Sequence, residues 1–114
     1  MSTLRNKVQL IGNLGMDPEV KDLGNNKKLV KFSLATNENY KNAQGELVKE
    51  TQWHHVIAWG KLADTIVKYL FKGSEVAIEG KLINNNYTDK AGVKRYNTEV
   101  QVSDMVILSK QNKL

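Results

Sequence analysis

Alternation of apolar and polar positions divides the chain into strands with one helical interlude. Val8, Leu10 and Gly12 alternate with Lys7, Gln9 and Ile11 until Gly12-Asn13-Leu14-Gly15 interrupts the pattern, which predicts a first strand ending in a bend or bulge. A short segment from Glu19 to Leu23 leads into the turn Gly24-Asn25-Asn26. From Leu29 to Asn37, Val30, Phe32, Leu34 and Thr36 share one face while Lys31, Ser33 and Ala35 share the other, as in a half-buried strand. Asn37 to Glu50 is polar, with Tyr40 inside it and Gly45 as its turn, and a third strand then runs to Gly60.

The period changes after Gly60. Leu62, Ala63, Ile66, Val67 and Leu70 recur at three-and-four spacing, and Lys72-Gly73 supplies a basic last turn and a terminating glycine, so an amphipathic helix is predicted over Leu62 to Lys72. Alternation then returns. Val76, Ile78 and Leu82 against Glu75, Glu79 and Lys81 mark a fourth strand, which runs into Asn84-Asn85-Asn86 and a polar loop carrying Tyr87, Gly92 and Tyr96. Thr98, Val100 and Val102 against Glu99, Gln101 and Ser103 mark a fifth, continuing from Met105 to Leu108. Three strands, one helix and two strands, with long polar hairpin loops at Tyr40 and Tyr87, is the layout of a mainly-β, five-stranded OB-fold barrel with its helix between strands three and four.

Composition narrows the function classes. The 114 residues fit one domain that can bury a core without staples. With no cysteine there is no disulfide framework, thiolate zinc site or cysteine nucleophile. The first residues carry no long apolar core and no stretch approaches the roughly 18 apolar residues of a membrane helix, so a soluble, cytoplasmic protein is expected. A formal charge of +5, from 17 basic against 12 acidic residues, favours a polyanionic partner. Lysines far outnumber arginines, which suits sequence-independent phosphate contact better than bidentate reading of base edges.

Candidate chemistry centres on Glu50 to Lys61, which places Trp53 and Trp59 on one strand. Six residues apart, they share a face about 20 Å from each other at the strand rise of about 3.3 Å per residue. The pair can be a stacking platform or core: Trp53, Ile57 and Trp59 make a more apolar face than Gln52, His54, Val56 and Ala58, and most apolar strand faces point inward. Tyr40 and Tyr87, in polar loops, are stacking rings or loop anchors. His54 and His55 are adjacent on a strand, point to opposite faces and cannot readily chelate one ion, so no metal is expected. Gly12-Asn13-Leu14-Gly15 lacks the lysine and hydroxyl of a P-loop, and the scattered carboxylates have no catalytic spacing.

Asn6-Lys7-Val8, Gly12-Asn13-Leu14-Gly15, Asp17-Pro18-Glu19-Val20, Leu34-Ala35-Thr36, Trp53-His54, Gly60-Lys61-Leu62-Ala63, Tyr69-Leu70, Lys72-Gly73-Ser74, Ile78-Glu79-Gly80, Tyr87-Thr88-Asp89 and Arg95-Tyr96-Asn97-Thr98-Glu99-Val100 resemble, in order and spacing, the DNA-binding domain of bacterial single-stranded DNA-binding proteins. The resemblance covers about residues 5 to 108. It implies an OB fold, a homotetramer and sequence-tolerant wrapping of single-stranded DNA in replication, recombination and repair. Carried over by position, base-stacking aromatics fall on Tyr40, Trp53, Trp59 and Tyr87, contact lysines on Lys7, Lys21, Lys61 and Lys72, a DNA-facing basic position on His55 and a subunit-interface histidine on His54.

Better-known members usually carry tryptophan where Tyr40 and Tyr87 stand and phenylalanine where Trp59 stands. They typically continue into a flexible linker and an acidic tip that recruits replication and repair enzymes; here residues 1–109 are expected to form the OB domain, with Lys110-Gln111-Asn112-Lys113-Leu114 a short basic end. Replication and repair proteins are possible partners, but the acidic tip is absent from this sequence. The expectation is a protein without enzymatic activity or cofactor, binding single-stranded DNA. The alternative from another class is an OB module used as a protein-interaction or assembly adaptor, primosome-like, with weak nucleic-acid affinity.

Overall fold

A computed structural model of the chain describes residues 4–25 and 27–109. Asn26 of the first turn and the basic end at 110–114 lie outside the described residues. A 3-10 turn at Leu4–Asn6 precedes β1 (Val8–Leu14), β2 (Glu19–Asp22), β3 (Lys28–Lys41), β4 (Leu47–Trp59), α1 (Gly60–Tyr69), β5 (Glu75–Asn84), β6 (Tyr87–Thr88), β7 (Lys94–Arg95) and β8 (Thr98–Ile107). The pairing order β1-β5-β8-β4-β3 closes through a further β1–β3 contact at Asn13↔Ala35 and Leu14↔Leu34. The five long strands thus form a closed barrel, the OB fold expected from the element order. β2 extends the sheet beyond β3, and β6 and β7 form a separate two-stranded ribbon.

Alternation decides the interior. Val30, Phe32 and Leu34 of β3, Val56 and Ala58 of β4, Val76 and Ile78 of β5, and Val100 and Val102 of β8 converge with Leu14 on one core. Ala63, Ile66 and Leu70 of the α1 segment join the same cluster, so the helix's apolar stripe lies on the barrel. Burying each valine, leucine, isoleucine or phenylalanine of this cluster stabilises by about 1.5–3 kcal/mol.

The helix is displaced from its expected span. It begins at Gly60 and ends at Tyr69, and Leu70 is already extended (φ −105°, ψ 145°) while its N–H still donates to Ile66 O. The spacing of Leu70 was helical, but its side chain reaches the core from an extended residue. Phe71 to Ser74 then form a turn, with Ser74 N donating to Phe71 O at 2.9 Å and Ser74 Oγ accepting from Phe71 N at 3.1 Å. Gly73 belongs to that turn, and its N–H donates to Leu14 O at 2.8 Å, tying the turn to the end of β1.

Two segments expected as loops are strands. β3 and β4 stay paired out to Lys41↔Leu47, well past the barrel wall. A tight turn makes this possible: Asn42 Oδ1 accepts from the N–H groups of Gln44 and Glu46, and Gly45 N donates to Asn42 O. Polar composition had hidden the pairing, because neither face of a projecting ribbon has a core to meet. At the other loop, Asp89 Oδ1 accepts from Ala91 and Val93 N–H, and Gly92, at φ 81°, supplies the left-handed residue that closes the β6–β7 turn.

Candidate nucleic-acid interface

Residues opposite one another across paired strands project to the same side. Trp53, His55, Ile57 and Trp59 stand opposite Ala35, Ser33, Lys31 and Leu29, on the side of β4 away from Val56 and Ala58. The parallel pairing with β8 sets Gln101 beside Ile57, and the β5–β8 pairing sets Lys81 beside Gln101. On the other flank β2 brings Lys21 opposite Leu29 and Glu19 opposite Lys31. The outer wall therefore has one row of Lys21, Leu29 and Trp59, and a second of Glu19, Lys31, Ile57, Gln101 and Lys81.

Trp53 is 60% and Trp59 40% exposed. The more apolar face of β4 is the outer one, against the general tendency of apolar strand faces. Trp53, His55 and Trp59 of that face are exposed and Ile57 is buried, while the core is closed by Val56 and Ala58 on the other face of the same strand. Trp53 has a fixed seat all the same. Its six-membered ring lies against Gly15 so closely that a β-carbon at that position would run into it, and Gly15 N donates to Ser33 O at 2.9 Å. The Gly12-to-Gly15 break in the first strand thus has a use: its end passes beneath an indole where no side chain fits.

The sequence-derived candidates divide into groups. Trp53, Trp59, His55 and Lys21 share the outer wall. Lys61 follows in the first turn of α1, one residue beyond Gly60. Lys72 N donates to Asp17 Oδ1 at 2.8 Å, which holds its turn at the β1 end where Gly15 underlies Trp53. Lys7 borders the far side, in a shallow concavity that it shares with Glu79, Lys81, Gln101 and Ser103. Its Nζ is 3.1 Å from Glu79 Oε1.

Tyr40 is in β3, opposite Val48, and by alternation shares its face with Thr36, Gln52 and His54 rather than with Trp53. Tyr87 is in β6, opposite Arg95, on the separate ribbon. Both rings are exposed. His54 and His55 point to opposite faces as strand geometry requires: His54 shares a 3.0 Å hydrogen bond between its Nε2 and Thr36 Oγ1, while His55 lies outward, opposite Ser33.

Three further groups stand with these residues and escaped the sequence reading. Lys31 and Lys81 belong to the outer wall, but only the inter-strand registers, not the alternation within one strand, bring them into line with the tryptophans. Tyr96, 76% exposed, lines with Asn86, Tyr87, Thr88 and Lys94 a concavity of about 230 Å³ on the ribbon. The ribbon's charge is organised by Asp89. Its carboxyl is held below the ordinary aspartate range chiefly by the Val93 N–H, then by Arg95, with the Ala91 N–H adding to both. Arg95 Nε donates to Asp89 Oδ2 at 2.9 Å.

A barrel wall bearing exposed aromatics among lysines is the arrangement by which OB folds hold unpaired nucleic-acid strands. Comparison with known proteins decides the lineage. The family model described as single-strand binding protein family matches residues 5–108. The chain belongs to that family. A curated relative, single-stranded DNA-binding protein 1 of Chlorobaculum tepidum, is 47% identical over 104 residues, covering 90% of this chain and 64% of the relative. The chain thus spans less than two thirds of that protein's length. Among solved structures, one described as a Plasmodium falciparum SSB complex with ssDNA superposes with a TM-score of 0.86 at 32% identity, covering 96% of this chain and 99% of that one. The family resemblance and the OB fold expected from the sequence are both borne out. Among the described residues no helix is long and apolar enough to cross a membrane.

Proposed function

We propose that this protein binds single-stranded DNA with little regard to base sequence and protects it during replication, recombination and repair. Trp53 and Trp59 stack bases on the barrel wall, and Tyr40 and Tyr87 supply further rings on the two projecting ribbons. Lys21, Lys61, Lys72, Lys7 and His55 accompany the phosphates. The observation that carries this reading is the pair of solvent-facing indoles on the outer side of β4, opposite a closed core. Every base has a π-face, so flat exposed rings bind any base, whereas in a duplex those faces are already stacked and out of reach. Specificity for single strands follows from the geometry of the bases themselves.

The printed names of the bacterial relative and of the Plasmodium complex support the same substrate. The protein acts by binding and not by turnover, in the cytoplasm on the nucleoid. Kinship with tetrameric proteins supports a homotetramer in which His54 lies near a subunit contact and a long strand wraps several barrels. Sedimentation at micromolar concentration tests that assembly, and a monomer would remove it.

Tryptophan emission during titration with oligo(dT), beside a duplex of equal length, tests the function. Single strands should quench strongly and duplex far less. Equal responses, or none, would return the weight to the adaptor reading.

A further inference from the structure

Among the described residues Glu99 is the only carboxylate that the fold buries, at 3% exposed. Taking a carboxylate out of water is costly unless partners compensate. Its two oxygens have different partners. Oε1 accepts a 2.6 Å hydrogen bond from Asn85 Nδ2, at the root of the β6–β7 ribbon, where Asn85 N also donates to Asn97 O. Oε2 faces Lys31 Nζ at 3.9 Å.

That second distance is informative. It is within Coulomb range but beyond hydrogen-bond length, so the Lys31 ammonium is attracted to Glu99 without committing an N–H to it. Three donors stay free for another acceptor. The Lys31 side chain is 37% exposed, and it stands opposite Ile57, between the rows of Trp53 and Trp59. At the strand rise this is about 7 Å along β4 from Trp59 and about 13 Å from Trp53. Lys7 differs: at 3.1 Å from Glu79 it is already within hydrogen-bond length of its carboxylate. The other acidic neighbour of Lys31, Glu19 across β2, is exposed to screening solvent.

We propose that Lys31 is a phosphate-binding residue of the single-strand track, set between the two indoles and positioned there by Glu99; this rests on the reading of the outer wall as the strand-binding face. The chemistry is that of an anchored point charge. Glu99 keeps the ammonium over the wall instead of free in solvent, and the phosphate oxygens of a strand whose bases lie on Trp53 and Trp59 take the uncommitted N–H groups. Glu99 itself touches no nucleotide and acts through Lys31.

The test titrates the full chain with oligo(dT) at several salt concentrations, followed by tryptophan emission. Lys31→Gln should flatten the slope of log affinity against log salt by about 0.7, which between 50 and 200 mM salt is roughly a two- to threefold difference in relative affinity. Lys28→Gln, on the other face of β3, should leave the slope unchanged. Wild-type binding with an unchanged slope in Lys31→Gln overturns the assignment alone; absence of wild-type binding overturns the strand-binding reading and the assignment with it. Glu99→Gln keeps the shape and the Asn85 hydrogen bond. Its effect on affinity should vanish in a Lys31→Gln background, and equal effects in both backgrounds would make Glu99 a brace of the ribbon root and nothing more.

Discussion

The wall that carries Trp53 and Trp59 and the ribbon that carries Tyr87 offer aromatic rings on very different foundations. β4 is paired on both sides, to β3 over thirteen positions and to β8 in parallel, and its inner face is part of the core. The β6–β7 ribbon has two residue pairs of its own, a turn built on Asp89, and a root fastened by Asn85 and Glu99. Ring positions on the wall are determined by burial that the fold makes whether or not a strand is present. Ring positions on the ribbon depend on a few exposed hydrogen bonds, each contributing only about 0.5–1.5 kcal/mol net. On the proposed function, binding to the wall would therefore need little ordering, while binding to the ribbon would include the entropy of holding it still.

The largest way to break this contrast is to damage the foundation of the wall. Leu34 is fully buried, opposite His54 on β4 and Leu14 on β1. Leu34→Ala should cost about 2–5 kcal/mol of stability through lost transfer energy and an unfilled cavity. Denaturant unfolding would show it as a lower midpoint, and oligo(dT) affinity of the molecules still folded should change much less. Comparable losses of both would mean that the wall is not rigid enough to separate stability from binding.

Next in size are the rings. Trp53→Ala should lose about 1–3 kcal/mol of binding free energy while leaving stability nearly unchanged, and Tyr87→Ala should lose less, since part of its stacking energy is spent on ordering the ribbon. Paired isotherms on one oligonucleotide measure both. An equal or greater loss at Tyr87 removes the proposed difference between the regions; a Trp53→Ala variant that unfolds early but binds normally makes that indole core.

How far the sequence revealed this arrangement can be argued from single residues. Val30, Phe32 and Leu34 alternate so regularly that the inner face of β3 was legible, and so was the element order that makes an OB barrel. β4 was ambiguous, because Trp53, Ile57 and Trp59 form its more apolar face and only the rest of the barrel shows that Val56 and Ala58 complete the core. The strand character of Tyr40 and Tyr87 was not legible, since ribbons without a core carry no apolar period. Lys31 was visible as an outward residue, but its neighbours Ile57, Glu99 and Gln101 come from β4 and β8, and register across strands is not written in either strand alone. The candidate stacking residues were legible mainly through family resemblance, which identifies positions but not the contrast between wall and ribbon.

A finer test changes the seat of a ring without touching the ring. A methyl group at Gly15→Ala would collide with the Trp53 indole, and real β-carbons are not accommodated at such separations without movement. The indole is exposed on its far side, so it should tilt outward while the core stays intact. The expected result is a loss of oligo(dT) affinity smaller than that of Trp53→Ala, with altered tryptophan emission in the free protein and little change in unfolding midpoint. In a Trp53→Ala background the same substitution should have no further effect on binding, because nothing then occupies the space above Gly15. Additive losses in the double variant would mean that Gly15 acts on the strand by another route.

The smallest effect is expected at the ribbon turn, and it depends on pH. Asp89 has its carboxyl lowered by the Val93 N–H, by Arg95 and by the Ala91 N–H. A group whose folded value lies below its unfolded value, about 3.9 for aspartate, contributes stability that is complete well above that value and is lost as pH falls through the folded one. The ribbon should therefore keep its full hydrogen bonding at neutral pH and loosen only in acid, below about pH 4. The β3–β4 turn, by contrast, is built on the Asn42 amide, which does not titrate. Amide exchange at Ala91 and Val93, followed downward in pH, should show a loss of protection confined to the ribbon before any change at Val56 or Ala58. Asp89→Asn retains an oxygen for the two N–H groups but gives up the charge facing Arg95, so the variant should be slightly less protected at neutral pH and should lack the acid step. If the step persists in that variant, or if ribbon and wall lose protection together, Asp89 does not control the turn and the two regions unfold as one unit.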